Sequence, residues 1–138
     1  MTKKSILFFA CATIVTTVFI GCAKAIVDTT DPIITITEPT SGADIMQMGS
    51  IADSATVSVH ITDEDLHAYS ILIAKADGSD TLLYVPETHQ EVNHLTVTKK
   101  FPTHVVVGTV TYKITVSAED HNGNKGEATR NFTVTHMM

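Results

Sequence analysis

Two short stretches of this chain place oxygen-bearing side chains at alternate positions. Asp63 and Asp65 flank Glu64, and Asp120, Asn122 and Asn124 follow Glu119 at the same spacing. Hard cations such as calcium take six to eight oxygen ligands, drawn from carboxylates, amide carbonyls and backbone carbonyls. Side chains two apart in a loop can converge on one ion. Asp63, Asp65, Glu119, Asp120, Asn122 and Asn124 therefore form the candidate metal set, and calcium is the candidate cofactor; no motif calls for another. A plainer role competes with this one. Asp and Asn also cap turns by hydrogen-bonding their own backbone.

Histidine is the second candidate, with seven residues in 138. His60, Asp63, Asp65 and His67 fall close together, and His89 and His94 come later. Zinc or copper needs two or three converging imidazoles, oriented by carboxylate or carbonyl partners. Met46-Gln47-Met48 and His136-Met137-Met138 offer soft ligands that suit copper. This supports an alternative reading, a metal-responsive protein for zinc or copper, although no His-Glu-x-x-His or Cys-x-x-Cys spacing is present. The bland reading is scattered surface histidines and a methionine pair packed in a loop. Catalysis has less support. There is no Gly-x-Ser-x-Gly elbow, and Asp63 and Asp65 share a loop where acid/base pairs face each other across a cleft. No catalytic residue is assigned, and the chain is not expected to be an enzyme.

The N-terminus says where these groups are displayed. Lys3 and Lys4 precede an apolar run from Ile6 to Ile20, closed by Gly21-Cys22. The run is about 15 residues, shorter than the roughly 20 a membrane-spanning helix needs. Residues 1–21 therefore read as a cleaved leader. The segment resembles the lipobox of bacterial lipoproteins, although Phe19 replaces the usual Leu or Val. The resemblance implies that Cys22 becomes the mature N-terminus and carries a diacylglyceryl thioether and an amide-linked chain. Several acyl chains anchor stably where one binds reversibly, because each buried methylene adds about 0.8 kcal/mol. Cys11 leaves with the leader, so the mature chain has no partner for a disulfide. With Ala23 rather than Asp after the cysteine, resemblance to enterobacterial lipoproteins favours the outer membrane. The periplasmic and cell-surface faces both stay open.

Without residues 1–21, 117 of 138 residues remain, enough for one core. Losing the two leader lysines takes the net charge from −6 to −8. No basic patch is available to neutralise phosphates, so nucleic acid is excluded as a partner. The expected contacts are the membrane, through the lipid, and an envelope protein or glycan.

The elements that must position the candidate residues are strands. Ile34 and Ile36; Val57, Val59 and Ile61; Tyr69, Ile71 and Ile73; Leu95 and Val97; Val110, Tyr112, Ile114 and Val116; and Phe132 and Val134 recur at every second position. Such alternation gives each strand one core face and one wet face. Turn signals separate the runs at Pro39–Gly42, Ala76–Ser79, Lys100-Phe101-Pro102 and His121–Asn124. Strands are expected near 32–38, 55–62, 68–75, 81–85, 92–98, 109–118 and 128–136. These predict an all-β fold, a seven-stranded antiparallel immunoglobulin-like β-sandwich over residues 32–138, behind a lipidated tether at 22–31. Tyr112 shares the parity of Ile114 and reads as core, with a tyrosine corner as the alternative.

Asp28–Ile36 resembles the entry strand of bacterial immunoglobulin-like and hyalin-repeat domains. Val116–Asn124 resembles their last hairpin, and Asn131–Thr135 their closing strand. The whole arrangement also resembles an uncharacterised family of Bacteroidetes lipoproteins. In such a sandwich, the loops holding Asp63–Asp65 and Glu119–Asn124 share one end with Asp28 and Asp31. That pole resembles the calcium loops of cadherin-type domains, without their full motif. Asp28-Thr29-Thr30, Asp53-Ser54-Ala55 and Asp80-Thr81-Leu82 resemble Bacteroidetes O-glycosylation sites. The function this implies is a non-enzymatic binding, adhesion or spacer module of the envelope.

Overall fold

The computed structural model describes residues 27–48, 53–103 and 108–137. The leader, Cys22 and the start of the tether lie outside these residues. Six strands follow in order: β1 (Ile33–Glu38), β2 (Asp44–Met48), β3 (Asp53–Lys75), β4 (Thr81–Thr103), β5 (Gly108–Asp120) and β6 (Lys125–Met137). They form one sheet in the order β1-β3-β5-β6-β2, with β4 paired to β3. Among the described residues there is no helix.

The sheet is curled, and β3 is the strand that turns. Its first half pairs with β1 and with His94–Thr103 of β4. Its second half pairs with β5 and with Thr81–Val92 of β4. The register shifts between Thr62 and Leu66, and again between Leu66 and Ala68. Such bulges bend a strand and sharpen its twist. The bend brings the two halves face to face, as in a sandwich. Phe101 of β4 lies 5.7 Å from Phe132 of β6, centroid to centroid, and Phe132 stacks on Tyr112 at 5.6 Å.

The alternation read from the sequence is met by burial. Ile36, Val57, Val59, Ile61, Tyr69, Ile71, Ile73, Val97, Tyr112, Ile114, Val116, Phe132 and Val134 form one apolar cluster. Tyr112 is fully buried in it, and its hydroxyl has no hydrogen-bond partner. It is a core residue, and no tyrosine corner forms.

Three expectations need correction. The strands expected at 55–62 and 68–75 are one continuous β3, because residues 63–67 cross the corner as bulged strand instead of leaving the sheet as a loop. The strands expected at 81–85 and 92–98 are likewise one β4, which also absorbs Lys100-Phe101-Pro102. Pro86 and Pro102 are tolerated there because β4 is an edge paired only to β3, where a missing N–H costs no ladder bond. An unexpected β2 runs parallel to β6, so the sheet has six strands and is not wholly antiparallel. Gln47 hides β2 from a hydropathy pattern. It points inward, fully buried, and donates to the Thr103 carbonyl at 2.7 Å.

Candidate functional site

The corner of β3 and the β5–β6 turn meet at one end of the molecule. The turn is closed by the Asp120 N–H donating to the Asn124 carbonyl at 3.1 Å, with Gly123 at φ +86°. Only glycine adopts that conformation freely. The described end of the tether docks beside this turn. Pro32 is buried, and a Cβ on Gly126 would collide with the Pro32 carbonyl. The Asn124 side-chain amide reaches back to the Asp28 carbonyl at 3.1 Å.

This packing brings three carboxylates together. One oxygen each from Asp28, Asp63 and Asp120 lies within 4.8 Å of the others. Calcium–oxygen bonds are about 2.4 Å, so two ligands on opposite sides of one ion lie about 4.8 Å apart. Each carboxylate is held by local bonds. Asp28 accepts from the Thr30 N–H at 2.9 Å, and Asp63 from the Asp65 N–H at 2.8 Å. Asp120, 1% exposed, accepts from the N–H groups of Asn122 (2.9 Å) and Asn124 (2.7 Å) and from the Asn124 side chain (2.6 Å). Burial pushes the Asp120 carboxyl up, but these bonds outweigh it and hold the group below the ordinary aspartate range. Asp28 differs from the other two. Its Oδ2 is buried and has no hydrogen-bond partner. Among the described residues no lysine or arginine pairs with any of the three.

The predicted metal set is thus split. Asp63 and Asp120 converge, and Asn124 braces Asp120. Asn122 contributes its backbone N–H to that bracing. Glu119 turns away to Lys125 at 3.0 Å. Asp65 pairs with His121, its Oδ1 lying 3.2 Å from Nδ1. Asp28 takes the place of these departures. The sequence put it in the acidic pole but not among the ligands, since a tether residue gives no local sign of docking.

The histidines also regroup. His60, half-buried, bonds the Thr96 hydroxyl at 3.1 Å. It lines a groove of ≈ 510 Å³ with His94, Asp63 and Glu64. His67 lies beyond the corner and meets different rings. Its centroid is 4.5 Å from His121 and 4.7 Å from His89, and its Nδ1 is 3.2 Å from the His121 Nε2. The His121 backbone N–H donates to the Asp65 carbonyl at 3.1 Å. Nothing in the spacing marks His121 as a partner of His67, 54 residues away. Of the soft-ligand set, Met138 lies outside the described residues, and Met46 does not join them. Met46 pairs in register with Thr135, at the far end of β6, about 33 Å from its start at ~3.3 Å per residue. The hydroxyl residues Thr29, Ser54 and Thr81 of the three glycosylation-like triplets are exposed.

No protein-family model matches the chain, and no curated protein does. Solved structures resemble it at low identity. The E. coli chaperone DraB superposes with a TM-score of 0.52 at 7% identity, over 75% of this chain and 55% of that one. CopC from Methylosinus trichosporium OB3b gives 0.46 at 16% identity, over 77% and 97%. The N-terminal domain of PorA gives 0.37 at 10%, again over 77% and 97%. The likeness is one of β-architecture.

Proposed function

We propose that this chain is a lipid-anchored envelope protein whose immunoglobulin-like domain is a non-enzymatic binding or spacer module, with a calcium ion at the loop pole. One observation carries the calcium reading. Three carboxylates converge within 4.8 Å, and one of their oxygens is buried with no donor. Like charges so placed are costly unless a cation lies between them. Asp28 would tie the tether, Asp63 the corner and Asp120 the β5–β6 turn, so the ion would fix the direction in which the domain leaves its anchor. The immunoglobulin-like reading is supported by β3 and β4, each of which contributes a segment to both layers.

Calorimetric titration of the full chain with calcium tests the site. One ion per chain is expected, lost in an Asp28→Asn/Asp63→Asn variant. Absence of calcium heat, or heat that survives the double substitution, removes the site. Labelling with radioactive palmitate tests the anchor separately: incorporation into the wild type and its loss in Cys22→Ala are expected, and an unlabelled wild type defeats it.

The alternative reading, a zinc- or copper-responsive protein, gains from the ring cluster of His67, His89 and His121. It loses His60 as a ligand beside His67, because His60 is committed to Thr96 on the other side of the corner.

A further inference from the structure

We infer that His67 and His121, with Asp65 as positioning residue and His89 packed beside them, form a second metal site, completed by solvent, for a divalent cation that prefers imidazole, zinc or copper(II). This site is separate from the carboxylate trio and does not depend on it.

The spacing of the nitrogens points to it. Zinc–imidazole bonds are about 2.05 Å, so two nitrogens on one tetrahedral ion lie about 3.3 Å apart. His67 Nδ1 and His121 Nε2 are 3.2 Å apart. Two imidazoles bound to one such ion have centroids about 5 Å apart by the same geometry, and those of His67 and His121 are 4.5 Å apart. His121 is already oriented for the task. Its other nitrogen, Nδ1, lies 3.2 Å from the Asp65 carboxylate and 3.1 Å from the Asp65 carbonyl oxygen. A ligating histidine almost always donates its second N–H to such a partner, which fixes the tautomer and strengthens the donor nitrogen. With Nδ1 protonated toward Asp65, the His121 Nε2 lone pair faces His67. His67 would bind through Nδ1 as its Nε2–H tautomer, with solvent taking the Nδ1 proton and returning one to Nε2, so that both ligands stay neutral imidazoles and the ring-to-ring hydrogen bond gives way to the ion.

The backbone supports the arrangement. His67 sits inside the bulge between Leu66 and Ala68, where a side chain is re-aimed out of the regular pleat. Ala68 pairs with His89 across the β3–β4 ladder, so His89 is delivered to the same place. The His121 backbone is bonded to Asp65. Two strands and the β5–β6 turn thus hold these side chains, and His89 and His121 are exposed, leaving the cation a way in.

Titration of the full chain with zinc, and separately with copper(II), tests the inference. One ion per chain is expected, with binding at least tenfold weaker in His67→Ala or His121→Ala. Asp65→Asn should weaken it 10–100-fold, the range seen for such outer partners. Cobalt(II) should give the visible absorption of a tetrahedral site in the wild type and not in the double histidine variant. A His60→Ala/His94→Ala variant should bind as the wild type does. In case a variant fails to fold, the wild type alone suffices: zinc should shift the imidazole proton resonances of His67, His89 and His121 and leave those of His60 and His94 in place. Zinc affinity unchanged in the His67/His121 double variant, or no uptake of zinc or copper, overturns the proposal and leaves a ring-to-ring hydrogen bond. Loss of zinc binding in Asp28→Asn/Asp63→Asn would place the ion at the carboxylates and overturn it equally. Loss of calcium binding alone in that pair would sustain both sites.

Discussion

The substitution Asp63→Asn should change sign with calcium. In chelator, Asp63 faces the carboxylates of Asp28 and Asp120 within 4.8 Å, with no cation to neutralise them. Two unit charges at that distance repel by about 3.5 kcal/mol at an effective dielectric of 20 and by about 0.9 kcal/mol in water. Asp63 is half-buried and open to the groove it shares with His60, so the lower end applies and salt reduces it further. The single bond that Asp63 accepts, from the Asp65 N–H, can be accepted equally by an asparagine oxygen. The net expectation is a gain of about 1 kcal/mol, or roughly 4 °C in Tm for a domain of this size. Saturating calcium reverses the order. At a hundredfold excess over Kd, a ligand stabilises the native state by about 2.7 kcal/mol, and the variant loses most of that. Thermal melts of both proteins, in chelator and in millimolar calcium, should therefore cross. A variant that melts lower than wild type in chelator refutes the electrostatic reasoning. Equal calcium-induced shifts in both proteins refute the site.

Asp120→Asn should behave oppositely, because its hydrogen bonds from Asn122 and Asn124 outweigh burial and hold that carboxyl below its ordinary range. At pH 7 in chelator a loss of about 2–3 kcal/mol is expected, since the new amide meets the Asn124 amide donor to donor. A group whose folded value is depressed stabilises fully above its unfolded value, near pH 4, and loses that contribution as pH falls through the folded value. Urea midpoints of wild type and variant should accordingly converge on acidification. Gly126→Ala must displace the Pro32 carbonyl, so a loss of about 1–3 kcal/mol is expected, with a weaker calcium response as Asp28 is pushed out. Phe101→Ala should cost about 3–5 kcal/mol in urea denaturation, because Phe101 is 1% exposed and meets Phe132 across the two layers.

The parts of the fold that were legible were those in which neighbouring residues carry the signal. In β5 and β6 the alternation of Tyr112, Ile114 and Val116, and of Phe132 and Val134, matches burial residue by residue. The bend at Thr62–Leu66 was not legible. Asp63, Glu64 and Asp65 resemble a polar loop, and only the pairing of Leu66 with both Val92 and Asp120 keeps them in a strand. Pro102 read as part of a turn signal because its position on an edge is a property of the assembled sheet. The candidate sites divide in the same way. Asp63 and Asp120 were visible as paired acidic clusters. The docking of Asp28 onto Asn124 joins residues 96 apart, and that of His67 onto His121 joins residues 54 apart. Neither leaves a local trace.

One feature of β3 accounts for both candidate sites. A straight strand sends successive side chains to opposite faces, so Asp63, Asp65 and His67 would share one face and compete for one ligand. The register shifts on either side of Leu66 break that parity. Asp63 is left facing Asp28 and Asp120, while Asp65 and His67 turn together toward His121. Leu66, fully buried between them, pins the bend to the core. The bend that lets the two layers close on the same apolar cluster therefore also sorts hard oxygen ligands from imidazoles. A change that straightens the corner should disturb both sets together, whereas substitutions within one set should leave the other intact.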